Sequence, residues 1–220
     1  MGVKLSAISF PVGIDGVRTA EEFIAYAARV SNPSNQINSE TAPKLLKYLV
    51  KHKHWSPFEM VSLTLEIKTT RDIGRQILRH RSFSFQEFSQ RYAEVNDSFE
   101  FRETRLQDQK NRQNSIETSD KFLDEAWRDA QVAVQVACRN AYELALKNGI
   151  AKEQARVVLP EGMTKSTMYM AGSLRSWIHY CELRRSNGTQ KEHREIAIDA
   201  WNIILEQFPS LSEVLDVSIT

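Results

Sequence analysis

Cysteine is nearly absent from this 220-residue chain: Cys138 and Cys181 are the only two. That is too few for a disulfide framework or a cysteine-rich metal site. Each lies in an apolar helical pattern, the setting of a buried structural thiol rather than of a nucleophile. Charge of one sign is lacking too: 29 Lys and Arg against 28 Asp and Glu leave a net charge of +1. This argues against nucleic-acid binding through bulk electrostatics and confines any basic patch to a local cluster. No apolar run approaches the roughly 20 residues that cross a bilayer. The opening MGVKLSAISFPVGIDG has too short an apolar stretch for a secretory signal. Gly2 and Ser6 fit the short myristoylation motif, but nothing else supports an anchor. A cytoplasmic location is the expectation. No G-x-G-x-x-G fingerprint occurs, so a Rossmann-type dinucleotide domain is not expected. Repeats, low-complexity tracts and heptads are likewise missing.

What is present is an ordinary soluble composition, 41% hydrophobic and 26% charged, at a length suited to one domain over residues 1–220. Residues 3–12 read as a first strand ended by Pro11 and Gly13. Thr19-Ala20-Glu21-Glu22 is a capping box opening a helix that stops near Asn32-Pro33. A second helix starts near Thr41, with Pro43 in its first turn. Val61–Thr69 alternates apolar and polar residues and is the clearest strand. A short helix, Arg71–Arg79, leads into a loop. The polar stretch 96–119 reads as an exposed connection with local turns. Ser119 then caps a helix running to about Lys147. Its stripe of Phe122, Leu123, Ala126, Trp127, Ala130, Ala133 and Ala137 suits close packing within or between subunits. A short helix over 151–159, a strand over Thr164–Met170, and helices over Gly172–Arg185 and Gln190–Phe208 complete the chain, with Pro209 closing the core region.

The densest chemistry lies in Arg79–Tyr92, RHRSFSFQEFSQRY, where cations, hydroxyls and amides alternate with Phe83, Phe85 and Phe88. Guanidinium forks grip phosphate, hydroxyls add donors, and rings stack or seal, so the run suits an anionic planar ligand. Arg71, Arg75 and Arg79, four apart, share a helix face ending at this run. The plainer reading is a basic amphipathic helix end with three core phenylalanines. Upstream, His52, His54 and Glu59 invite a metal reading, but no further cluster has metal-site spacing, and a polar loop is the blander alternative.

Arg79-His80-Arg81, followed after seven residues by Ser89, resembles the signature of the flavin-dependent thymidylate synthases, the ThyX family. Ser84, Glu87, Arg91 and Tyr92 extend the match, while Gln86 stands where that family usually has Asn. Four more segments follow in family order: the helix end at Ser31, the loop His54–Glu59, the box Ala155–Pro160 and the helix carrying Arg184. The resemblance implies a mixed α/β subunit, an antiparallel or mixed sheet flanked by long helices, assembled as a homotetramer with FAD sites at subunit interfaces. It also implies reductive methylation of dUMP to dTMP, with 5,10-methylenetetrahydrofolate giving the carbon and NADPH-reduced FAD the hydride. No cysteine adduct is involved. By the same resemblance, FAD would meet Ser31, His54, Ser56, Glu59, Arg79, His80, Arg81, Glu87, Ser173, Arg175 and His179. The nucleotide would meet Gln76, Arg79, Glu87, Ser89, Gln90, Arg91, Arg156 and Arg184, with Arg184 activating the pyrimidine. His193 stays unassigned. Two rival readings stand: a flavin- and folate-dependent pyrimidine hydroxymethylase on the same scaffold, and a nucleic-acid-binding module using the arginines and phenylalanines of the signature.

Overall fold

A computed structural model describes residues 2–96 and 99–215; residues 97–98 of the polar connection and the short tail 216–220 lie outside the described residues. The alternating run forms β2 (Ser62–Thr70), which buries Leu63, Leu65 and Ile67 on one face. It pairs antiparallel with β1 (Gly2–Ile8) on one side and with β6 (Lys165–Ser173) on the other. β3 (Ser84–Glu87) closes the sheet along β6, giving the order β1-β2-β6-β3 with every pairing antiparallel.

Onto the apolar face pack α1 (Ala20–Ala28), α2 (Ala42–Lys51), α3 (Arg71–Ile77), α6 (Leu174–Arg184) and α7 (Lys191–Gln207), through one core holding Trp177, Trp201, Phe58 and Phe208. The Trp177 indole donates to the Leu63 carbonyl at 3.1 Å, so this buried ring keeps its polar atom satisfied. The opposite face carries Glu66, Lys68 and Tyr169, where the Tyr169 hydroxyl donates to Glu66. A second, smaller core joins Val95, Phe99, Leu159 and Met163 to α4 (Lys121–Lys147) through Tyr142 and to α5 (Lys152–Ala155) through Ala155.

Several sequence expectations need correction. The first strand ends at Ile8 rather than residue 12, because β2 begins at Ser62 and Ser9 closes the ladder there; Phe10 and Val12 beyond it are exposed. The capping box is real: Thr19 Oγ1 accepts from Glu22 N, and the Glu22 carboxylate accepts from Thr19 N. Its helix, however, stops at Ala28, since Arg29 turns inward to donate to Thr41 Oγ1 at 2.7 Å and to the Asn38 carbonyl. The signature is not all loop, because its middle is β3. The polar connection contains a hairpin, β4 (Arg105–Gln107) with β5 (Ser115–Glu117), whose turn is tied by Asp108 accepting from Lys110 N and Asn111 N. Asp120, not Ser119, caps α4: its carboxylate accepts from Leu123 N at 3.1 Å. The core runs on past Pro209, since Leu211 and, in α8 (Ser212–Leu215), Leu215 are buried in it. Of the two settings expected for the α4 stripe, packing within the chain does not occur, with Phe122 83% and Trp127 44% exposed.

Candidate active site

The signature reaches the sheet because β6 leaves room for it. A Cβ at Gly172 would stand 2.5 Å from the Phe83 ring, which is itself wedged edge-on against Trp177 at 4.8 Å. With Phe83 seated there, Ser84 pairs with Ala171 and Glu87 with Met168. Glu87 turns inward, accepting from Ser166 Oγ at 2.7 Å and from Arg71 at 3.3 Å. Gln86 points outward from β3 and is exposed, so the longer amide arm meets no packing constraint.

Behind the signature, His80 and Arg184 meet. Arg184 Nε donates to His80 Nε2 at 2.9 Å. Arginine has no acceptor, so His80 must present a lone pair there and carry its proton on Nδ1. Burial, then the Arg184 and Arg79 guanidiniums, hold the His80 pKa down at about 4, consistent with that neutral form. Among the described residues Arg184 has no carboxylate partner. A half-buried guanidinium bound only to a neutral imidazole is a positive charge left for a ligand.

Beside this pair, Gln76 of α3 lies 3.2 Å from His193 Nδ1 and donates to Gln190 Oε1 at 2.7 Å. His193 is fully buried and contacts the Tyr180 hydroxyl at 3.1 Å. Burial, followed by Arg184 and His80, holds its pKa near 3. Gln76 is among the residues the resemblance assigns to the nucleotide, whereas Tyr180, Gln190 and His193 carry no assignment from sequence. Only the packing of α3, α6 and α7 brings Tyr180 to His193, His193 to Gln76, and Gln76 to Gln190 beside Glu192.

A cleft of about 350 Å³ opens on the other side of α3, lined by Arg71, Arg75, Gln90, Glu153, Arg156 and Glu161, among others. Gln90 is 3% exposed, and its Nε2 has no hydrogen-bond partner among the described residues. Arg75 is paired with Glu161 at 2.8 Å and Arg91 with Glu153 at 3.2 Å, while Arg156 Nε donates to the Glu153 carbonyl. The Arg75 guanidinium holds the Glu161 carboxyl below the usual carboxylate range. Arg71, Arg75, Arg91 and Arg156 stand against Glu87, Glu153 and Glu161, which leaves one positive charge in excess around the cleft, and the orphaned Gln90 amide needs an acceptor. The arginine row expected on one α3 face is therefore divided: Arg71 and Arg75 serve the cleft, whereas Arg79 lies beyond the helix end, beside His80.

Ser173, Arg175 and Glu59 stand at the far end of β6, and the other proposed ligand residues lie on other turns and helices. Ser173 caps α6 by accepting from Ser176 N, Arg175 pairs with Glu59, and His179 meets Trp55 edge-on at 4.9 Å. Ser56 opens the 3₁₀ turn Ser56–Met60, which packs between α1 and α6, and Ser31 is exposed in the turn after α1. His54 meets His52 and Tyr48 edge-on at the surface. Arg81 and Ser89 are exposed in the signature, Arg81 without an ion pair among the described residues. β6 spans nine residues, so its two ends stand roughly 25 Å apart. One chain thus does not gather the whole residue set at one point.

Neither thiol suits nucleophilic work. Cys181 is fully buried and burial drives its pKa upward, while Cys138 is half-buried against the second core.

A mixed α/β subunit with this signature on the edge of an antiparallel sheet has counterparts. The family described as Thymidylate synthase complementing protein matches residues 14–210. The chain belongs to this family, the flavin-dependent thymidylate synthases. It is 52% identical over 216 residues to a probable flavin-dependent thymidylate synthase of Paramecium bursaria Chlorella virus 1, covering 98% of this chain and 99% of that one. It is 48% identical to the flavin-dependent thymidylate synthase of Synechocystis sp., covering 98% and 100%. Among solved structures, a UMP/dUMP methylase of Streptomyces cacaoi bound with 5-Br dUMP superimposes with a TM-score of 0.83 at 25% identity, covering 98% of this chain and 94% of that one.

Proposed function

We propose that this chain, as one domain, converts dUMP to dTMP by reductive methylation, using 5,10-methylenetetrahydrofolate as carbon donor and NADPH as reductant. The observation that carries this reading is Arg184, a half-buried cation with a neutral histidine as neighbour and no carboxylate partner among the described residues. Beside a pyrimidine ring it would stabilise negative charge developing on the carbonyl, making carbon 5 electron-rich without a thiol adduct. In the cationic cleft, Gln90 and Arg156 would take the nucleotide phosphate, with Arg91 released from Glu153 to join them. Gln76, Arg79, Glu87 and Ser89 would complete the nucleotide's contacts.

The residues present fit FAD. Arg81 has no ion pair among the described residues, and Ser31, His54, Ser56, Glu59, Arg175 and His179 lie on surface turns or helix faces that an extended dinucleotide can follow. Ser173 and His80 would flank it. When bound, FAD supplies the hydride and is reduced again by NADPH. A homotetramer accounts for two features at once: the ligand residues parted along β6 would be reunited by residues of another copy, and the apolar stripe of α4 would be covered. No helix among the described residues is long and apolar enough to cross a membrane, and we place the enzyme in the cytoplasm.

The test is the visible spectrum of purified protein with FAD. The expected result is a flavin band that bleaches with NADPH and recovers with dUMP and methylenetetrahydrofolate, yielding dTMP, at a mass of four chains by light scattering. Turnover of dCMP instead would move the reading to a hydroxymethylase. A colourless protein with strongly salt-dependent oligonucleotide binding would overturn it in favour of a nucleic-acid module.

A further inference from the structure

A single-file hydrogen-bond chain runs through the buried seam between α3, α6 and α7. Its members are Tyr180, His193, Gln76, Gln190 and Glu192, linked by contacts of 3.1, 3.2, 2.7 and 2.9 Å. Tyr180, His193 and Glu192 are at most 4% exposed. Glu192 also receives Arg105 of the hairpin and lies 3.6 Å from Arg102, which in turn binds Asp72 of α3.

Every donor in this chain follows from its last member. A carboxylate facing two guanidiniums only accepts, so Gln190 must turn its amide nitrogen to Glu192 and its oxygen to Gln76. Gln76 must then donate to that oxygen and keep its own oxygen toward His193. His193 must carry its proton on Nδ1, which leaves Nε2 to accept from the Tyr180 hydroxyl. The depressed His193 pKa agrees, because a doubly protonated ring would have no acceptor for that hydroxyl. Amide orientation and imidazole tautomer are ordinarily free choices settled by the network around them; here one charge settles them all.

We propose that Glu192, clamped by the β4–β5 hairpin, is a positioning residue: it sets the direction of this chain and so decides which donor and which lone pair Gln76 offers to the nucleotide. Glu192 touches no ligand in this scheme. Its action passes through Gln190, and the hairpin thereby acquires a role in substrate binding although it lies outside the signature. The substrate half of the inference rests on the proposed dUMP site; the tautomer half does not.

The test uses full-length enzyme labelled with ¹⁵N in its five histidines. In the wild type His193 is expected to show a protonated Nδ1 and a bare Nε2. Glu192→Gln keeps the shape but can donate or accept, so His193 should become a mixture of tautomers. Tyr180→Phe removes only the far end and should leave Nδ1 protonated. In parallel, Glu192→Gln should raise KM for dUMP about tenfold, with flavin content unchanged and kcat much less affected. A pure His193 tautomer in Glu192→Gln, or an unchanged KM, overturns the proposal. If Glu192→Gln does not fold, His193→Asn and His193→Leu decide it. Asn preserves the donor to Gln76 and should keep KM near the wild-type value, whereas Leu should raise it; equal effects of the two overturn the proposal. A wild type that does not turn over dUMP would refute the proposed activity, while the tautomer measurement would still judge the chain.

Discussion

Arg184→Ala should retain FAD and lose most of its turnover. The guanidinium rests on His80 Nε2 at 2.9 Å and has no carboxylate to neutralise it among the described residues. Its charge is thus available to a developing enolate-like oxygen, in a setting where fixed donors are worth far more than in water. Removing one such donor costs on the order of 10²–10³ in rate, about 3–4 kcal/mol. Arg184→Lys restores the charge as a point ammonium without the planar fork, so it should fall between wild type and Ala. The assay is single-turnover formation of dTMP by anaerobic, pre-reduced enzyme, with flavin absorbance followed in the same sample. An unchanged single-turnover rate in Arg184→Ala refutes the argument. So does loss of flavin in proportion to loss of rate, which would make Arg184 a cofactor-holding residue. A second reading comes from His80. Burial is the larger cause of its depressed pKa and Arg184 the next, so the Ala variant should raise it from about 4 only part of the way to 6.5, as an NMR titration would record.

Gly172→Ala would put a methyl group 2.5 Å from the trapped Phe83 ring, an overpacking cost of about 1–3 kcal/mol. That should lower Tm by about 2–12 °C; Phe83→Leu in the same chain should recover part of the loss, and simple additivity in this double-mutant cycle would refute the close fit. His193 also ties stability to pH. The unfolded chain takes up its proton near 6.5 and the folded chain only near 3, so acidification across that interval favours unfolding. His193→Asn should therefore flatten the fall of Tm below pH 6.5, and an identical slope in both proteins would contradict the neutral buried ring. Asp120→Ala should cost about 1 kcal/mol through the lost α4 cap, read as a lower denaturation midpoint, with Ser119→Ala near neutral.

Strong local patterns carried over into the structure. The alternation of Val61–Thr69, the Thr19–Glu22 capping box and the proline-primed start of α2 each depend on neighbours in sequence, and each formed as read. The signature was legible as chemistry because arginines, hydroxyls and rings crowd one short run. Its strand was not, because Ser84–Glu87 becomes β3 only by pairing with β6, more than eighty residues later, through a gap left by Gly172. Boundaries failed wherever a distant partner decided them, as at Ile8, where β2 stops pairing, and at Ala28, where Arg29 leaves for Thr41.

By itself the sequence determined the family, the strongest elements and the types of side chain available for an anionic ligand. Only the tertiary structure decided which of those side chains are already engaged and which remain open. Nothing along the chain shows that Arg75 and Arg91 are neutralised by Glu161 and Glu153 while Arg184, among the described residues, meets an imidazole and no carboxylate. His193 carries no assignment from sequence; only burial of α7 against α3 and α6 strips it of water and gives it Tyr180 and Gln76 as partners. Charge compensation and desolvation act through space, between residues as distant in sequence as Gln76 and His193, 117 positions apart, and no reading of neighbours along the chain contains them.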